Sequence, residues 1–216
     1  MLELLMVVAI LTVIFGIVAN GTIQLQRRSD VEANRVDRVQ EARSFMEQVA
    51  RDIHQAGFPS PKMFAAGANA NNYAFALINV DVGDLILEGD VDGSGVVSRV
   101  EVQLLDANNN PCPTGACACT NAAPCTLQRG SISKAAFAAG LPLYYYTEVT
   151  NITNPQIFTA YEYDGNPVPL PADAQDLRNI RNVGLTLSVQ TAPDPTDKTP
   201  STITMSTNAK VNNIYP

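Results

Sequence analysis

LLMVVAILTVIFGIVA, residues 4–19, is apolar on every face of a helix and is interrupted only by Thr12 and Gly16. A helix that packs one side on a soluble core keeps a polar face, and this one has none. Its sixteen residues rise about 24 Å. Met1, Leu2, Gly21, Thr22 and Ile23 extend it toward the roughly 30 Å of a bilayer core. A single membrane span is the plain reading. A cleaved signal peptide fits less well, because no basic residue precedes the run and the helical pattern resumes directly after Ala19-Asn20-Gly21.

Beyond the span the character changes. Arg27 to Ala56 holds twelve charges, six of each sign, and no Gly or Pro. Val39, Ala42, Met46, Val49, Ile53 and Ala56 recur at spacings of three and four, with Val36 and Phe45 widening the stripe, so one amphipathic helix is expected. Arg28-Glu32 and Glu47-Arg51 stand four apart, where opposite charges add a few tenths of a kcal/mol. Gly57 is placed to end the helix and Pro59 to prevent its return. Joined to the span, the helix runs over about 56 residues, roughly 84 Å.

The remaining chain carries all fourteen prolines and alternates as strands do. Val96 to Leu104, Leu185 to Val189 and Thr202 to Met205 switch between apolar and polar residues. Tyr73 to Val80, Leu85 to Glu88, Leu143 to Val149 and Gln156 to Tyr163 are further candidates. An antiparallel sheet with one packed and one wet face fits this pattern, and the apolar stripe of the second helical half is its natural cover. The expected organisation is α+β: residues 1–26 an apolar helix, 27–57 its amphipathic continuation, 58–216 a β-rich head.

Charge separates the same three parts. The net −7 of the 216 residues is Glu3 plus a net −6 beyond residue 56, where fourteen acidic residues face eight basic ones. The overall mean hydropathy near zero averages a membrane-competent helix, a balanced stalk and an acidic head. Fourteen basic against twenty-one acidic residues speak against nucleic-acid binding, which needs clustered Lys and Arg. One histidine, His54, and no nucleophile–base pair, phosphate loop or cofactor motif argue for a non-enzymatic protein. The placement signals conflict: Arg27 and Arg28 after the span would hold the head inside, whereas clustered cysteines belong on an oxidising side. A basic leader ahead of this sequence would remove the conflict.

Two features of the head carry candidate chemistry. Asp90-Val91-Asp92-Gly93-Ser94-Gly95-Val96-Val97-Ser98-Arg99-Val100-Glu101 follows the twelve-residue calcium-loop pattern, with Asp90, Asp92, Ser94, the Val96 carbonyl, Ser98 and Glu101 as oxygen donors. Its flanks read as strands instead of helices, and Asp and Gly also build metal-free hairpin turns. No cofactor is required by this reading; calcium is the one candidate ion. Cys112, Cys117, Cys119 and Cys125 lack zinc or haem spacing, so two disulfides pinning a surface loop are expected, as 112–117 with 119–125 or as 112–119 with 117–125. Leu143-Tyr144-Tyr145-Tyr146 reads as half core and half surface, and Asn151-Ile152-Thr153 matches an acceptor sequon.

The N-terminus Met1-Leu2-Glu3-Leu4-Leu5-Met6-Val7-Val8-Ala9-Ile10-Leu11 resembles the start of type IV pilins and type II secretion pseudopilins, and residues 42–58 are similar to the helix end of the larger minor pilins. In that family a glutamate at the fifth mature position precedes an apolar helix, a half-buried extension and a β-sheet head. Glu3 matches that glutamate if two residues precede Met1. The resemblance implies a pilus-like filament subunit, processed by a prepilin peptidase, held in the bacterial inner membrane with its head on the periplasmic side, then polymerised with copies of itself or other pilins by an assembly machinery. It implies that Glu3 neutralises the N-terminal amine of a neighbour. A minor pilin or tip adhesin, and a secretion pseudopilin, are the alternatives it leaves. The proline many pilins carry near position 20 is missing; Gly16, Asn20 and Gly21 form the weak stretch, and local unwinding between Gly16 and Thr22 is expected in an assembled filament.

Overall fold

A computed structural model of the chain describes residues 2–112, 117–193 and 199–212. The two helical halves are one element. Helix α1 runs unbroken over Leu2–Gln55, 54 residues, through Gly16, Asn20 and Gly21. In its apolar part the hydroxyls of Thr12 and Thr22 donate to the carbonyls of Ala9 and Val18, at 2.8 and 2.9 Å. The helix ends where the sequence provides for it: Gly57 takes φ +78°, a conformation that costs a residue with a Cβ more than it costs glycine.

Nine strands form one antiparallel sheet among the described residues. They are β1 (Leu77–Val80), β2 (Asp84–Gly89), β3 (Ser98–Leu105), β4 (Cys125–Ser133), β5 (Tyr145–Ile152), β6 (Phe158–Tyr161), β7 (Pro167–Val168), β8 (Asn182–Gln190) and β9 (Thr202–Lys210). Strands β1 to β5 form a meander in sequence order. Strand β8 then serves three neighbours: β5 at Ile152↔Val189, β6 along Asn182–Leu185, and β9 along its whole length. Short helices α2 (Lys134–Ala138) and α3 (Asp176–Asn179) lie in connections.

One face of this sheet is covered by the C-terminal part of α1, which packs on β2, β5, β8 and β9. Ala42, Phe45, Met46, Val49, Ile53 and Ala56 are buried against Leu87, Val102, Leu127, Val149, Leu185 and Leu187 in a single core. Each of the four larger side chains in that stripe contributes roughly 2 kcal/mol of gross burial. The expected stripe is therefore present from residue 42 onward, but Val36 is 50% exposed. Docking starts at Arg38, which bonds Glu41 at 3.1 Å and the Thr150 hydroxyl on β5 at 2.8 Å. The first turns of the expected amphipathic segment stand clear of the head.

The helix end is clamped to β2. Gly57 N–H donates to Glu88 O, and Asp90 N–H to Phe58 O, both at 2.8 Å. At Gly89 the chains come so close that a Cβ would lie 2.6 Å from the Gln55 carbonyl oxygen. With its amide nitrogen turned toward the next turn, Gln55 also donates to the carbonyls of Asp90 and Val91. A Gly89→Ala variant should lose about 2 kcal/mol or more, because the obstacle is backbone on both sides; chemical denaturation of the detergent-solubilised chain measures it.

Candidate functional site

The apolar half of α1 is the most unusual surface of the molecule. Leu4, Met6, Val7, Ile10, Val13, Phe15, Ile17 and Leu25 all lie open, with Phe15 70% exposed. Soluble monomers rarely leave an apolar patch of more than a few hundred Å² uncovered. The helix is long and apolar enough to cross a membrane. Glu3, also exposed, sits in its first turn, where the helix dipole favours a carboxylate.

The twelve-residue loop pattern is not one site. Residues 90–97 connect β2 to β3, and Ser98 already pairs with Gly89 in the ladder. In β3 the side chains alternate, so Val100, Val102 and Leu104 face the core with Ser98, while Glu101 points to the opposite face. Glu101 lies beside Asp84 and Tyr145, and the flanking strands deny it the turn an EF-hand helix would provide. What remains together is the turn itself. Asp90 Oδ2 accepts Gly95 N–H at 2.9 Å, Asp92 Oδ1 accepts Ser94 N–H at 3.0 Å, and Ser94 Oγ accepts Val96 N–H at 3.3 Å. The Ser94 hydroxyl and N–H hold the exposed Asp92 carboxyl below the ordinary range.

The cysteines pair as Cys112–Cys117 and Cys119–Cys125, with Cα–Cα separations of 5.4 and 5.3 Å. The loop they pin is exposed over 107–111, 118 and 120–122, while Cys117, Cys119 and Cys125 themselves are buried and belong to the core. The reason is Cys125, which opens β4 in the middle of the sheet and draws the second bridge inward. Residues 113–116 lie outside the described residues.

Two charged constellations were not foreseen. Asp52 on α1 is buried, and Arg129 on β4 places Nε and Nη2 at 2.9 and 2.8 Å from its Oδ2. Burial pushes the Asp52 carboxyl above its usual range, and Arg129 opposes that. Lys134 reaches Glu88 at 2.6 Å and the Tyr73 carbonyl at 3.0 Å, under the Phe75 ring. Neither pair follows from local spacing, because the partners are 77 and 46 residues apart.

On the outer sheet face a cleft of about 270 Å³ is lined by Asn79, Asp81, Asp84, Glu101 and Gln103. Burial first, then Glu101 and Asp81, raise the Asp84 carboxyl to about 6, against the bond from Asn79 Nδ2 at 2.6 Å. Tyr144 and Tyr146 are exposed, and the intervening Tyr145 is half-buried with its hydroxyl pushed up by burial and Glu101. His54 is exposed near Asn212. Asn151, the penultimate residue of β5, takes φ +60°. These groups define no acid–base pair aimed at a common point.

Searches against protein-family models, curated proteins and solved structures find no match for this chain.

Two measurements follow from the buried charges. Arg129→Leu should cost about 3 kcal/mol or more by stranding Asp52, and Arg129→Leu with Asp52→Leu distinctly less; denaturant titration of both variants decides it. Asp84 holds its proton more tightly folded than unfolded, so its contribution is complete below about pH 4 and is lost as the pH rises through about 6. Asp84→Asn should flatten the stability profile across that window and stabilise the chain by about 1 kcal/mol at pH 7, allowing for its partial exposure.

Proposed function

We propose that this chain is a non-enzymatic structural subunit of a type IV pilus-like extracellular filament, with the pilin fold and an apolar helix that becomes the filament core. Before assembly it is held in a bacterial inner membrane with the head on the periplasmic side, and its partners are copies of itself or other pilins. Processing by a prepilin peptidase and delivery by an assembly machinery belong to the same reading.

The observation that carries it is the division of α1 into a bare apolar half and a docked half. A helix for membrane anchoring alone needs about 20 apolar residues and no rigid continuation. Here the apolar segment continues without a break into a helix that is fastened to the head by its own core residues. Such a rod keeps the head at a fixed distance from whatever covers the apolar half, first lipid and then the helices of neighbouring subunits. Glu3, moved out of the headgroup region into an apolar bundle, costs several kcal/mol unless a cation meets it. The N-terminal amine of an adjacent subunit supplies that cation.

Electron microscopy of sheared surface material, with a label on the head, tests the proposal. Label at regular intervals along filaments means a main structural subunit. Label at tips alone means the minor pilin or adhesin reading, and a label confined to the periplasm of a secreting cell means a pseudopilus. Filaments without label, or none, remove the proposal. Glu3→Ala should leave the monomer in the membrane fraction and reduce filament yield by more than about 100-fold, the equivalent of roughly 3 kcal/mol; normal filaments from that variant end the pairing role.

A further inference from the structure

We propose that the turn joining β2 to β3 binds one divalent cation, best matched by calcium, through Asp90 Oδ1, the Asp92 carboxylate and the Ser94 hydroxyl, with water completing the shell. The set is half of the twelve-residue pattern, and Glu101 is not in it.

The observation that carries the site is Asp90. The residue is only 7% exposed. Oδ2 is satisfied by Gly95 N–H, whereas Oδ1 is buried without any hydrogen-bond partner. A buried acceptor left unpaired costs roughly 1–3 kcal/mol, and more when it is charged. Asp92 stands two residues further on and accepts Ser94 N–H, as Asp90 accepts Gly95 N–H, so two carboxylates are fastened to the backbone of one short turn. Two like charges on one short turn repel unless a proton or a cation comes between them. Among the described residues, no Lys or Arg forms an ion pair with either carboxylate. Arg51 and Arg129 line the same cleft as Asp92, but Arg129 is committed to Asp52.

The donors select the ion. Carboxylate and hydroxyl oxygens on a short exposed turn suit a hard cation that tolerates irregular geometry and several waters, as calcium does, and do not suit zinc or copper. Three protein donors place the affinity in the range of extracellular modules, a Kd of about 10⁻⁴–10⁻³ M. The carbonyls of Asp90 and Val91 are already bonded by Gln55, so an ion on this turn also stiffens the clamp between the end of α1 and β2. The site stands or falls independently of the filament reading.

The test is equilibrium dialysis of radioactive calcium against the full chain in a non-chelating detergent, with thermal unfolding in calcium and in chelator alongside. The expected result is one calcium per chain and a raised melting temperature. Asp92→Asn, at an exposed position, should weaken binding at least tenfold while leaving the melting temperature in chelator unchanged. Asp90→Asn, which keeps an acceptor for Gly95, should do the same for binding. Glu101→Gln should bind as the unaltered chain does. No binding up to about 10 mM calcium, binding that survives both aspartate variants, or binding lost in Glu101→Gln would each overturn the proposal.

Discussion

The seating of residues 42–56 of α1 on the sheet is the interaction the rest of the molecule depends on. The inner sheet face presents Leu87, Val102, Leu127, Val149, Leu185 and Leu187, and without the helix they would lie open. The helix needs the sheet equally, because isolated helices owe little of their stability to propensity. The clamp at Gly89 fixes where the helix stops, and Arg38 with Thr150 fixes where it leaves. The Asp52–Arg129 pair sets the register between these points, since Asp52 is buried, Arg129 is mostly covered, and one position of the helix satisfies both. Everything N-terminal of Arg38, about 54 Å of helix, is held by that one joint.

The parts of this arrangement that repeat locally were legible in the residues. A 3-4 spacing from Ala42 to Ala56 placed the stripe, and the alternation in Val96 to Leu104, Leu185 to Val189 and Thr202 to Met205 placed β3, β8 and β9, though each strand differs at its ends. Strand β4 was not foreseen. Thr126, Gln128, Arg129 and Gly130 break its alternation, because Arg129 faces inward to meet Asp52 and the ladder to β5 shifts register twice. A buried cation looks like a surface residue until its partner is known. The same limit applies to Val36, which has the right spacing but stays half exposed.

The loop pattern shows how a motif separates from its geometry. Twelve residues with oxygens at the right offsets describe a chelating shell only when a helix returns the last of them to the first. In a hairpin, pleating sends Ser98 and Glu101 to opposite faces of the sheet. The first half, folded as a turn, needs no such return, and its side chains bond the turn's own backbone. The cysteines illustrate the converse: their spacing left two pairings open, and the structure pairs Cys125, at the start of a central strand, with Cys119, both buried.

The joint between helix and head has a mechanical character that follows from its geometry. Because α1 crosses β2, β5, β8 and β9, a pull along the helix axis loads the whole buried stripe in shear instead of peeling it one residue at a time. Sliding by one residue would turn Phe45, Val49 and Ile53 out of their places and separate Asp52 from Arg129 together. The head would therefore yield late and all at once, as a lap joint does, and not by gradual fraying from the exposed end.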